Sequence, residues 1–141
     1  RAGRGAEDHS GQHRLEQGLE LAELIRQRTG AQSEFVFWNG PVAVPEDTDI
    51  LVNATSVGLF PNVQEKPDVA YDSIRPGMVI SDVIFNDPRT LFLGEANKRG
   101  AKTVNGLGML VNQAALNFEI WTGTKAPFQV MREALEKEFG L

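Results

Sequence analysis

Apolar residues recur at helical spacing early in the chain. Leu15, Leu19, Ala22 and Ile25, joined by Leu21 and Leu24, are interleaved with Glu16, Glu20, Glu23, Arg26 and Arg28. This periodicity predicts an amphipathic helix closed by Gly30 as its C-cap. Ahead of it, Arg1 to Gly11 carries three glycines and mixed charges without apolar periodicity. Residues 1–14 therefore read as a flexible lead-in and 15–141 as the folded domain.

Further along, short β-branched and aromatic runs replace the helical pattern. Phe35-Val36-Phe37-Trp38, stopped by Asn39-Gly40-Pro41, predicts a strand and turn. Ile50-Leu51-Val52 predicts a second strand. Val79-Ile80 with Val83-Ile84, after the Arg75-Pro76-Gly77 turn, predicts a third, and Lys102-Thr103-Val104 a short fourth. Continuous rather than alternating apolar runs predict strands covered on both faces, as in a parallel sheet. Helical stretches lie between and after them: Thr90 to Lys98 ending at Gly100, Leu107 to Trp121, and Pro127 to Phe139. The last starts on a proline, whose missing N–H costs nothing in a first turn, and carries a packing stripe of Phe128, Met131, Leu135 and Phe139. Alternating strands and helices predict βαβ units and an open α/β sheet that gathers ligands at the carboxyl ends of its strands.

Composition agrees with a single globular domain. The chain has 141 residues, 41% hydrophobic and 23% charged, a balance that excludes disorder and collagen. With no cysteine, disulfides, thiolate metal sites and a cysteine nucleophile are excluded together. A net charge of -5 gives no global field favouring nucleic acid. Apolar stretches such as Met78 to Ile80 fall far short of the ~20 residues that a membrane span needs. Without a basic stretch followed by an apolar core, a cytoplasmic location is expected.

Candidate chemistry clusters at the predicted strand ends. Asn53-Ala54-Thr55-Ser56-Val57-Gly58 follows directly on Val52 and offers short hydrogen-bonding side chains, with a glycine that permits close backbone approach. The same residues equally suit a helix cap or a turn. Gly106-Leu107-Gly108-Met109 stands between strand and helix, but Val111 occupies the sixth position of the G-x-G-x-x-G fingerprint and no acidic ribose partner follows at a strand end. Gln113 lies beyond it on the same helix. Asp82 and Asp87 flank Asn86 at another strand end, where short polar residues commonly make the turn. His9 and His13 have i, i+4 spacing without the glutamate or third ligand of a zinc motif, so no metal is expected. Arg1, Arg4 and Arg14 form the basic cluster that would clamp a nucleotide 2′-phosphate, if one binds.

Four ordered blocks resemble the cofactor-binding half of the shikimate dehydrogenase family and its quinate/shikimate relatives. They are Asp49 to Gly58 (DILVNATSVG), Arg75 to Asn86 (RPGMVISDVIFN), Arg99 to Gln113 (RGAKTVNGLGMLVNQ) and Phe118 to Leu135 (FEIWTGTKAPFQVMREAL). The resemblance implies a partial Rossmann-like, doubly wound parallel sheet with flanking helices, lacking the first strand, its glycine-rich loop and the N-terminal substrate domain. It further implies reversible, NADP-dependent reduction of 3-dehydroshikimate to shikimate, with NAD as the alternative cofactor. Asn53, Thr55 and Ser56 would line the cofactor cleft, Val83 and Gly106 would offer backbone contacts to the nicotinamide, and Met109 would pack beside it. Gln113 would bind the ring acid.

Two departures bear on the substrate. Phe85 stands where the family commonly has tyrosine, and Asn105 where it has aspartate, which leaves shikimate, quinate or a related ring acid open. The family's catalytic lysine and aspartate belong to the substrate domain, so this chain alone is expected to be inactive. A non-catalytic alternative is an interaction module, in which an open sheet edge pairs with the missing domain or a second chain.

Overall fold

The computed structural model describes the backbone of residues 6–141 and side chains from Leu15 onward. The chain divides into two compact units, Arg1–Gly40 and Pro41–Leu141. Arg1, Arg4 and the side chains of His9, His13 and Arg14 lie outside what is described.

The first unit contains one long helix, α1 (Ala6–Thr29). It begins well before the apolar periodicity, so residues 6–14 are helical rather than a loop. One continuous hydrogen-bonded helix needs only a single nucleation, and adding turns to it costs far less than starting a new element. Gly30 closes it as expected, with φ +70° and its N–H donating to the Arg26 carbonyl. Phe35–Trp38 forms no strand. A four-residue run gains ladder bonds only beside a partner strand, and the described residues of this unit contain none.

The second unit carries the sheet. Three parallel strands, β1 (Ile50–Asn53), β2 (Val79–Asp82) and β3 (Lys102–Val104), lie in that order. Ile50 pairs with Val79, Asn53 with Asp82, and Val79 with Lys102. Helix α2 (Leu91–Lys98) makes the β2–β3 crossover, and α3 (Leu107–Thr122) and α4 (Phe128–Glu138) follow. Four strands were expected and, among the described residues, three form. Val83-Ile84 falls outside β2, because the Asp82 side chain captures the Ile84 N–H and turns the chain.

One sheet face holds the core. Ile80, Phe92, Leu93 and Ala96 pack together with Met78 and Ala101, and Leu51 lies against them. Val44, Val69 and Ile74 join this core from segments with no strand pattern, held by the parallel bridge Val42–Val69 and the 3-10 turn Tyr71–Ser73. Coverage of both faces is not met in β1 and β3: Ile50, Val52 and Val104 are exposed. Alternate strand residues point to opposite faces, and only the α2 side is closed over β1.

A charged collar seals the α2 side. Tyr71 meets Phe92 edge-on at 6.4 Å, with Lys66 Nζ 4.5 Å from its ring centroid. Burial pushes the Tyr71 hydroxyl up to about 12, with the Glu95 carboxylate adding to the effect. Hydrogen bonds from Lys98 and then Arg99 pull Glu95 down to about 2. Among the described residues no helix is long and apolar enough to cross a membrane.

Candidate functional site at the strand ends

Three loops leave the carboxyl ends of the parallel strands, and a buried polar bracket ties two of them. Asn53 and Asp82 end adjacent strands in register, and both side chains are buried, at 4% and 1% exposure. Asn53 Nδ2 donates to Asp82 Oδ1 at 3.0 Å and to the Val57 carbonyl at 3.3 Å. Asp82 Oδ1 also accepts from the Ile84 N–H at 3.1 Å, while Oδ2 accepts from Thr90 Oγ1 at 2.7 Å. Thr90 in turn caps α2, accepting from the Leu93 N–H. Every buried oxygen of the carboxyl group is thus hydrogen-bonded, as low-dielectric burial requires.

The same network shapes the first loop. Asn53 Oδ1 accepts from the Thr55 N–H at 3.1 Å and from Thr55 Oγ1 at 2.7 Å, and Thr55 Oγ1 accepts from the Val57 N–H. These short side chain to backbone bonds fold residues 53–57 into a compact turn, leaving Thr55 and Ser56 exposed at its tip. A second tie joins this loop to the β2 end, since the Phe60 N–H donates to Asn86 Oδ1 at 3.3 Å.

The third loop approaches the second at Gly106. A β-carbon on Gly106 would lie 2.4 Å from the Ile84 carbonyl oxygen and 3.0 Å from that of Val83. Gly106 has φ −73° and ψ −7°, so close backbone approach, not backbone conformation, demands glycine here. Asn105 Oδ1 caps the start of α3 by accepting from the Leu107 N–H at 3.2 Å. Among the described residues neither the Val83 carbonyl nor the Gly106 N–H has a hydrogen-bond partner, whereas the Val83 N–H is spent on the Asn53 carbonyl.

Helix α3 then carries Met109, partly exposed, and Gln113, one turn further on and exposed. Phe85 is partly exposed beside the β2 end. The eight residues predicted for the site therefore lie at the end of β1 (Asn53), on the strand-end loops or in the first two turns of α3. Asn53 differs from expectation in kind: both ends of its amide are occupied inside the protein, so it shapes the loop. Thr90, read only as the start of a helical stretch, and Asn86, read only as part of a turn, were not expected to tie the loops together. The available signal for Thr90 was its place just before the apolar run of α2; for Asn86 it was its place among short polar residues at a strand end. Asp87 makes a turn, as expected of a short polar residue leaving a strand, by accepting from the Arg89 N–H at 2.8 Å.

A parallel sheet with crossover helices and ligand-facing loops at its carboxyl edge defines a Rossmann-like α/β domain. Residues 106–136 match the shikimate 5′-dehydrogenase C-terminal domain. The shikimate dehydrogenase (NADP(+)) of Methanopyrus kandleri is 44% identical over 117 residues, covering 82% of this chain and 40% of that protein. The chain belongs to the shikimate dehydrogenase family. Among solved structures, the ligand-free 5-ketofructose reductase of Gluconobacter sp. strain CHM43 matches with 43% identity and a TM-score of 0.76, over 86% of this chain and 44% of that one. A shikimate dehydrogenase in complex with NADP+ matches with 36% identity and a TM-score of 0.67, over 85% and 42%. The chain thus spans less than half the length of these relatives.

Proposed function

We propose that this chain forms the nicotinamide side of an NADP-dependent shikimate dehydrogenase, which reversibly reduces 3-dehydroshikimate to shikimate. The observation that carries this reading is the pair of free backbone groups at the loop crossing, the Val83 carbonyl and the Gly106 N–H. A primary carboxamide presents donors and an acceptor, the complement of that pair, so the residues present fit a nicotinamide. The exposed Ser56 hydroxyl suits the more polar parts of the cofactor, Thr55 can only accept because its O–H is spent on Asn53, and Met109 gives the ring an apolar neighbour. When bound, the nicotinamide supplies hydride exchange; the protein supplies orientation and exclusion of water.

Gln113 and Phe85 are assigned to the substrate, Gln113 through its free amide and Phe85 through its ring. Asp82 does not exchange the substrate's proton, because it is buried and occupied by three donors. That proton belongs to the lysine and aspartate pair that the family resemblance assigns to the substrate domain. Isothermal calorimetry with NADP and NAD in parallel tests the cofactor half of the reading. Heat with NADP that Gly106→Ala abolishes is expected, and silence with both cofactors overturns it.

A second reading is reduction of a ketose of the 5-ketofructose type, favoured by Phe85, which brings no hydroxyl to the site, and by the similarity to the Gluconobacter reductase. Joining the chain to the N-terminal part of the Methanopyrus relative and comparing turnover of shikimate and 5-ketofructose separates the two.

A further inference from the structure

Strand β3 is bonded to β2 on one side, and among the described residues its other edge is open. Lys102, Thr103 and Val104 are all exposed, and the edge is flanked by a cavity on each sheet face. Thr103, in register with Ile80, belongs to the α2 face. There a cavity of about 230 Å³ is lined by Arg89, Asn97, Thr103 and Asn105 together with Pro88, Leu93 and Gly94. Val104, in register with Ser81, belongs to the opposite face. There a cavity of about 350 Å³ lies between α3 and α4, with Leu107, Val111, Phe128 and Leu135 among its walls. Asn105 borders both.

The two cavities differ in charge. Arg89 has no carboxylate partner among the described residues, whereas Arg99 pairs with Asp72 and Glu95. Asn105 spends only its oxygen, on the Leu107 N–H, so its amide hydrogens remain. The α2-side cavity is therefore rich in donors and positively charged. Arg132, in the other cavity, is neutralised by Glu136 at 2.7 Å, leaving apolar walls.

We propose that the β3 edge accepts an extended acidic peptide as an added strand. Main-chain bonds to Thr103 and Asn105 hold it, since the Lys102 N–H is spent on the Met78 carbonyl and alternate residues face the free edge; its side chains alternate between the cavities, carboxylates beside Arg89 and apolar groups against Leu107 and Phe128. The shortness of β3 and the charge of Lys102 disfavour indiscriminate edge pairing, and the same lysine favours an acidic partner. This edge lies across the sheet from β1, and the proposal does not depend on the dehydrogenase reading.

The test uses the full chain and a blocked peptide of three Leu-Asp repeats, with calorimetry and amide hydrogen exchange at Thr103 and Asn105. Binding with slowed exchange is expected. Arg89→Glu, checked for unchanged circular dichroism, weakens it by on the order of tenfold and improves binding of the Leu-Lys counterpart. The proposal is overturned by no binding, by equal binding of a backbone N-methylated peptide, or by indifference to Arg89→Glu. Concentration-dependent protection of Thr103 and Asn105 without peptide also overturns it, by assigning the edge to a second copy of the chain.

Discussion

Replacing Gly106 by alanine tests the crossing of the two strand-end loops directly. The added methyl would sit 2.4 Å from the Ile84 carbonyl oxygen, 2.8 Å from its carbonyl carbon and 3.0 Å from the Val83 oxygen. Ordinary contact begins near 3.4 Å, so one of the two backbones must move by about 1 Å. Neither is a flexible side-chain end, and Ile84 is itself buried. Alanine is at ease at φ −73°, ψ −7°, so the penalty is steric, of the size of core overpacking, about 1–3 kcal/mol.

Gly108, two residues on inside α3, is the internal control. Nothing lies within 4 Å of its added β-carbon, and Gly to Ala at a position whose backbone alanine can adopt gains roughly 0.4–1 kcal/mol by lowering the entropy of the unfolded chain. Urea titration followed by circular dichroism should therefore move the two midpoints in opposite directions. If Gly106→Ala unfolds at the wild-type urea concentration, the loops do not cross as described, and the free Val83 and Gly106 groups lose their significance.

Other perturbations reach separate parts of the molecule. Asp82→Ala strands the Ile84 N–H and the Thr90 hydroxyl and removes one partner of Asn53, so a loss on the order of 3 kcal/mol in the same urea assay is expected; a loss below about 0.5 kcal/mol contradicts the bracket's role. Glu95 is held near 2 in the fold against an ordinary 4.5. Its stabilisation is therefore full above about pH 5 and lost as pH falls toward 2, and Glu95→Gln should flatten the acid limb of a stability-pH curve. Tyr71 is the sole tyrosine, so the tyrosinate absorbance of the folded protein should rise near pH 12 rather than 10; because the neutral form is favoured, stability falls as pH climbs through that interval. Gln113→Ala, at an exposed position, should leave the urea midpoint unchanged within about 0.5 kcal/mol while raising KM for the ring substrate in the two-part enzyme.

The legible parts were those that neighbouring residues decide. The apolar periods of α3 and α4, the cap at Gly30 and the β-branched cores of β1 and β2 are local signals, and they reappear within a residue or two. The site was legible as a place, since polar residues right after strands fall at the carboxyl edge of a parallel sheet. Roles were harder to read. Asn53 looked like a ligand group because a strand-end amide offers donors and an acceptor, and nothing local revealed that Asp82, 29 positions away, would engage it.

By itself the sequence determined the order of strands and helices, the parallel class of the sheet and the loops at which ligands gather. These follow from spacing, turn residues and the short reach of backbone hydrogen bonds. Tertiary structure alone decided that Phe35–Trp38 has no strand partner, that Val44, Val69 and Ile74 complete the core, and that Gly106 must be glycine. Each depends on which distant backbone arrives alongside, and pairing, burial and steric exclusion act between segments that no local pattern connects.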